Sequence, residues 1–214
     1  YISKIKIDPD SYEVNYRLAI ILNNLGGLTE SINYFNKAAL ANPYSISVYL
    51  NLGNVYLKIN NFDLSLENYL KAKKIDPKNF KVNYNLGNYY FFKDDIENAE
   101  MYFHKSIEID PEDSTPYTGR AWVKYLTGDF AGAIKDSRKA LTFNPKNFSA
   151  LSTLGRSQYA LDQKKVACSN LNKAISIGTN DLGGETDSYD YLQQNTKDYL
   201  VRPDKWWVER EIIS

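Results

Sequence analysis

Five prolines stand at one fixed interval along this chain. Pro9, Pro43, Pro77, Pro111 and Pro145 are each 34 residues apart (43 − 9, 77 − 43, 111 − 77, 145 − 111), in a sequence with only seven prolines. Before each comes Asp or Asn: Asp8, Asn42, Asp76, Asp110 and Asn144. The residue preceding proline is pushed out of the α region, so each pair predicts the end of a helix. A period of this length means one small unit that cannot bury its apolar face alone, and must stack on its neighbours.

Everything between the prolines repeats as well. Small residues align at Ala19, Gly53, Gly87, Ala121 and Gly155, and at Ser31, Ser65, Ala99, Ala133 and Ala167. A third small column holds Ala38, Ala72, Ser106, Ala140 and Ala174. Helices approach closely only where side chains are short, so these columns predict crossing points. Large apolar columns lie between them. One holds Leu18, Leu52, Leu86 and Leu154 but is broken by Arg120; another holds Phe35, Tyr69, Phe103 and Leu171 but is broken by Ser137. Turn residues divide each unit at Gly26-Gly27, Asn60-Asn61, Asp94-Asp95, Gly128-Asp129 and Asp162-Gln163. Each unit therefore reads as helix A, tight turn, helix B and a proline-marked turn.

The stretches Tyr84-Asn85-Leu86-Gly87-Asn88-Tyr89-Tyr90 and Asn51-Leu52-Gly53-Asn54-Val55-Tyr56, with the 34-residue period, resemble helix A of the tetratricopeptide repeat family. The resemblance implies an all-α fold, a right-handed α-solenoid of helix-turn-helix repeats, ending here in a C-terminal capping segment. The expected organisation is the end of a truncated upstream repeat at 1–9, then repeats at 10–45, 46–79, 80–113, 114–147 and 148–179. A loop and helical cap follow at 180–214. Gly178 is read as the terminator of the fifth helix B, since glycine readily takes the left-handed conformation.

The fourth unit looks like an Arg-Gly variant of the repeat. Arg120 occupies a core column, where an unpaired charge would be costly, so it is expected to pair with Asp136 of helix B.

The resemblance also implies that helices A line a concave groove. The residues expected on its exposed phase include Tyr16, Arg17, Asn51, Asn54, Lys81, Tyr84, Asn85, Asn88, Trp122 and Arg156. Asn51, Asn54, Asn85 and Asn88 form two pairs 34 residues apart. An amide both donates and accepts, so a row of them can bond an extended peptide whatever its sequence. Glycosyltransferase relatives of the family use a similar row. Tyr84, Phe92, Trp122 and Tyr125 add an aromatic wall suited to anchoring a side chain.

Chaperone-tail binders of the family use a two-carboxylate clamp of Lys, Asn, Asn, Lys and Arg. The corresponding residues here are Tyr16, Ile20, Asn51, Lys81 and Asn85, of which two match. That argues against a chaperone C-terminal tail as partner.

Composition narrows the partner further. Twenty-six basic and 26 acidic residues cancel, which argues against nucleic acid, whose binding rests on phosphate neutralisation. No apolar run approaches the roughly 18 residues of a membrane span. His104 is the only histidine and Cys168 the only cysteine, too few for a His/Cys zinc site. His104 is expected at the surface and Cys168 in the core. No cofactor motif and no catalytic constellation is present. One cysteine suits a reducing compartment without excluding export, so the sequence does not fix localisation.

The reading is a protein-binding scaffold that takes a peptide or partner protein in the helix A groove, not an enzyme. A self-associating scaffold, through the open N-terminal end or Trp206 and Trp207, is the alternative. So is the recruiting arm of a larger multidomain protein.

Overall fold

The computed structural model describes residues 10–180. The expectations for 1–9, for the capping segment beyond 180 and for Trp206 and Trp207 fall outside them. Among the described residues there are ten helices and no strands. In chain order they are α1 (Tyr12–Asn24), α2 (Leu28–Ala41), α3 (Ile46–Lys58), α4 (Phe62–Ile75) and α5 (Phe80–Phe92). Then come α6 (Ile96–Ile109), α7 (Ser114–Leu126), α8 (Phe130–Phe143), α9 (Phe148–Ala160) and α10 (Lys164–Asn180). Each odd-numbered helix packs most extensively on the even-numbered helix that follows it. The chain divides into two compact units at the Asp110–Pro111 bond.

The helix ends follow from local chemistry. The residues before the prolines are extended, with ψ of 90° at Asn42, 95° at Asp76, 92° at Asp110 and 91° at Asn144, and each caps a helix that has just ended. The turn inside each hairpin needs one residue with positive φ, and these recur with the same period of 34: Gly26 and Gly128 at 83°, Asn60 and Asp94 at 58°, Asp162 at 59°. Asn and Asp are the non-glycine residues that best tolerate this region.

From α3 to α9 every helix carries a side-chain N-cap. Ser45, Asn61, Asn79, Asp95, Asp113, Asp129 and Asn147 each accept a backbone N–H from the first turn. Such a cap contributes about 1 kcal/mol. Ser11 and Gly27, before α1 and α2, provide none.

Large residues of the even helices seat against small ones of the odd helices. In the first unit Phe35, Tyr69 and Phe103 are almost wholly buried, as are Ala19, Leu52 and Leu86 of the odd helices. The fit at glycine is tight. A Cβ on Gly53 would lie 2.3 Å from the Tyr69 ring, and one on Gly87 would lie 2.7 Å from the Phe103 ring. In the second unit Gly155 meets Leu171 in the same way, at 2.7 Å.

Two expectations fail here. α10 does not stop before Gly178 but runs through it to Asn180. With no proline at this point, nothing removes a backbone donor, and a glycine can stay helical at modest cost. Cys168 is half-buried rather than core. Its neighbour Ala167 takes the fully buried crossing position, and adjacent helical residues point about 100° apart.

Candidate functional site

The face of α1, α3 and α5 in the first unit carries most of the groove residues read from the sequence. Tyr16 of α1 is half-buried and stacks on Tyr12, with ring centroids 5.7 Å apart. Its phenol is raised above its ordinary pKa, first by burial and then by the neighbouring Tyr12, so it stays protonated as a hydrogen-bonding group. Asn51 of α3 donates from Nδ2 to Tyr16 Oη at 3.2 Å and to Ser47 O of its own helix at 2.8 Å. Lys58 Nζ reaches back from α3 to Asn23 Oδ1 of α1 at 3.3 Å. These bonds tie the two odd helices side by side along one polar seam.

Asn54 lies one turn further along α3. Its Oδ1 accepts the Tyr69 hydroxyl of α4 at 2.6 Å. On α5, Asn85 Nδ2 donates to Lys81 O at 2.8 Å. Its Oδ1 is buried with no hydrogen-bond partner among the described residues. Lys81 is exposed, and Tyr84 is half-buried with its ring 5.9 Å from that of Phe103. Arg17 forms an ion pair with Glu13 on its own helix.

The expected exposure of the whole asparagine row does not hold. Asn51 and Asn54 are half-buried, but Asn85 and Asn88 are only 7% and 5% exposed. Helical phase alone placed all four at the surface. In the fold α5 packs against α3 as well as α4 and α6, and little of its surface is left exposed on that phase.

In the second unit Trp122 of α7 is half-exposed and stacks on Tyr125, with centroids 5.3 Å apart. Tyr125 in turn meets Phe130 of α8 at 5.8 Å. Arg156 of α9 is half-buried. Asn147 Nδ2 donates to Thr118 Oγ1 at 2.9 Å, joining the start of α9 to α7.

The same unit contains a buried ion cluster. Arg120 donates from Nε to Asp136 Oδ2 and from Nη2 to Asp136 Oδ1, both at 2.8 Å. Lys124 Nζ adds a third contact at 3.0 Å, which sequence reasoning had not anticipated. Lys124 lies four residues after Arg120 on one helix face, and that spacing was the available signal. Burial alone would raise the Asp136 pKa. The hydrogen bonds and charges of Arg120 and Lys124 outweigh it and hold the carboxyl below its ordinary 3.8.

Among the described residues no group of His, Cys, Asp and Glu could hold a metal ion. No described helix is long and apolar enough to cross a membrane. His104 is exposed and faces Glu108 on its own helix, 3.4 Å away.

Hairpins of fixed length, stacked by a small-on-large packing rule, define an all-α solenoid of helical repeats. Family-level comparison identifies the kind. Residues 53–93 match the TPR repeat, and residues 12–45 and 80–113 match the tetratricopeptide repeat. The chain is a tetratricopeptide repeat protein.

Solved structures agree on the fold. One similar structure is TTC0263, a thermophilic TPR protein in Thermus thermophilus, at 19% identity and TM-score 0.69, covering 89% of this chain and 100% of that one. The MamA protein is similar at 19% identity and TM-score 0.61, over 82% and 96% of the two chains. YrrB, described as a TPR protein with an unusual peptide-binding site, is similar at 18% identity and TM-score 0.56, over 82% and 91%. No curated protein matches by sequence.

Proposed function

We propose that this protein is a non-catalytic interaction scaffold that holds an extended peptide segment of a partner against α1, α3 and α5 of its first unit. The carrying observation is the polar seam of Tyr16, Asn51 and Asn54, in which amide groups are held by neighbouring hydroxyls on an accessible face. Arg17, Lys81 and Tyr84 flank it and would contact the ligand's side chains. Asn85 and Asn88, being covered, support the seam and meet a ligand only at their edges. In the second unit the stacked Trp122–Tyr125 pair and Arg156 form a separate surface, suited to an apolar or acidic side chain. The similarity to YrrB is consistent with a peptide ligand.

The test is selection of a displayed random dodecapeptide library on the purified protein, followed by affinity measurement on an enriched peptide. The expected result is enrichment of peptides that lose binding when Asn54 and Tyr16 are replaced by alanine. Failure of any peptide to enrich, or binding unchanged in that double variant, would overturn the reading.

A further inference from the structure

We infer that Lys73 of α4, with Tyr102 and Lys105 of α6, forms an anion site on the even helices of the first unit, which takes a phosphomonoester dianion such as a phosphorylated serine side chain.

Three donors converge there and no acidic group answers them. Lys73 Nζ donates to Tyr102 Oη at 3.1 Å and lies 4.7 Å from the centre of that ring. Lys105 Nζ lies 5.0 Å from the same centre, and its hydrogen-bond partner is Met101 Sδ at 3.5 Å, a weak acceptor. Because the Tyr102 oxygen accepts from Lys73, its own O–H is left to donate, and it meets no acceptor among the described residues. Neither ammonium is in an ion pair among the described residues. The ring between them is held in place. Tyr102 is only 9% exposed and stacks on Tyr90 of α5, with centroids 5.3 Å apart and the planes inclined by 5°.

Comparison with the other repeats shows that this charge pattern is local. Lys73 stands in a column that is otherwise apolar, with Ala39, Ile107, Leu141 and Ile175. A lysine does recur at the Lys105 position, but in α4 it is Lys71, paired with Glu67 at 2.8 Å. Met101 takes the place of that glutamate in α6, so Lys105 lacks the carboxylate its counterpart has. In α8 the Tyr102 position is held by Asp136, which brings its own negative charge to two cations. In α6 two cations gather at that position and the negative charge has to come from outside.

The donors also select the anion. A tyrosine ring attracts an exposed cation only weakly, so two positive charges remain to be balanced. A phosphomonoester carries about −1.5 to −2 at pH 7 and three acceptor oxygens, which suits two ammoniums and a hydroxyl. Lysine binds phosphate as a point charge, whereas the planar carboxylate is matched by the fork of arginine. A carboxylate would also leave one of the two charges unanswered.

The experiment uses the full chain, titrated at constant ionic strength and followed by the backbone amide resonances of α4 and α6. The probes are inorganic phosphate, a short glycine peptide carrying one phosphoserine, and the same peptide with glutamate instead. Both phosphate probes are expected to give saturable shifts around Lys73 and Tyr102. Binding should weaken about tenfold in Lys73→Gln and in Lys105→Gln, severalfold in Tyr102→Phe, and not at all in Lys71→Gln. Each variant is first checked for a native helical spectrum. Tighter binding of the phosphopeptide than of inorganic phosphate would assign the dianion to a partner's side chain; equal or weaker binding would assign it to free phosphate, and both outcomes support the site. Absence of saturable shifts with either phosphate probe would overturn it. So would wild-type affinity in any of the three site variants, an equal loss in Lys71→Gln, or equal affinity for the glutamate peptide. None of these outcomes touches the peptide-binding reading, which rests on Tyr16, Asn51 and Asn54.

Discussion

The α3–α4 and α7–α8 hairpins have the same length and turn position but hold together differently. In α3–α4 the Tyr69 ring lies against Gly53 with no space for a Cβ. In α7–α8 the matching residues are Ala121 and Ser137, both fully buried, and no ring fills the column. What replaces it is Asp136 clasped by Arg120 and Lys124. Ring burial is strong and non-directional, about 25 cal/mol per Å². A buried ion cluster contributes little net stability, because desolvation offsets most of its attraction. It is nevertheless costly to break. Two hairpins of one period can therefore share a shape yet fail under different substitutions.

The largest effect should come from the cluster. Asp136→Ala strands Arg120 and Lys124 as half-enclosed cations, and is expected to cost about 3–5 kcal/mol in urea unfolding, with hydrogen exchange showing the loss centred on α7 and α8. Adding Arg120→Leu, which restores the apolar column, should recover part of that. No recovery would mean that Arg120 is not what the missing carboxylate leaves stranded.

Next comes the close approach. Gly53→Ala forces the Tyr69 ring to move and should destabilise the first unit by about 1–3 kcal/mol, despite the better helix propensity of alanine. Ala121→Gly, at the same position of α7, should cost only about 1 kcal/mol. If Gly53→Ala were neutral or stabilising, the ring-on-glycine account of α3–α4 would be broken.

Ser137 gives a smaller effect of opposite sign. Its hydroxyl is buried without a hydrogen-bond partner among the described residues, so Ser137→Ala should stabilise by about 1 kcal/mol. A loss on thermal melting would show that the hydroxyl is satisfied in solution.

The finest distinction is acid sensitivity. The folded pKa of Asp136 is depressed below 3.8, so the unfolded chain takes up its proton first as pH falls. The stability it contributes is fully present above about 4 and is lost as pH drops through the folded value. Unfolding of wild type and of the Arg120→Leu/Asp136→Ala variant, compared at pH 5 and below pH 3, should show the wild type losing more. Equal losses would remove Asp136 from the acid limb.

At the groove, chain-local spacing and side-chain volume no longer decide which residues are accessible. The period and the small-on-large rule were legible, because they depend only on chain-local spacing and side-chain volume. Position on helix A was legible too, and placed Tyr16, Asn51 and Asn54 on one face. That Asn85 and Asn88 lie covered was not, because helical phase says which side a residue faces and not what packs there. The second partner of Asp136 was missed for a related reason: Lys124 reads as an ordinary surface lysine until α8 brings the carboxylate beneath it.

What the amino-acid sequence determined by itself is the unit: 34 residues, two helices, a positive-φ turn, an extended residue before proline, and a small residue wherever a ring must pass. Each is a near-neighbour effect of backbone sterics or side-chain size. Only the tertiary structure decided which asparagines are buried and which tyrosine hydroxyls meet the others. Those depend on atoms 15 to 35 residues away in the chain, across helices whose packing had to form first.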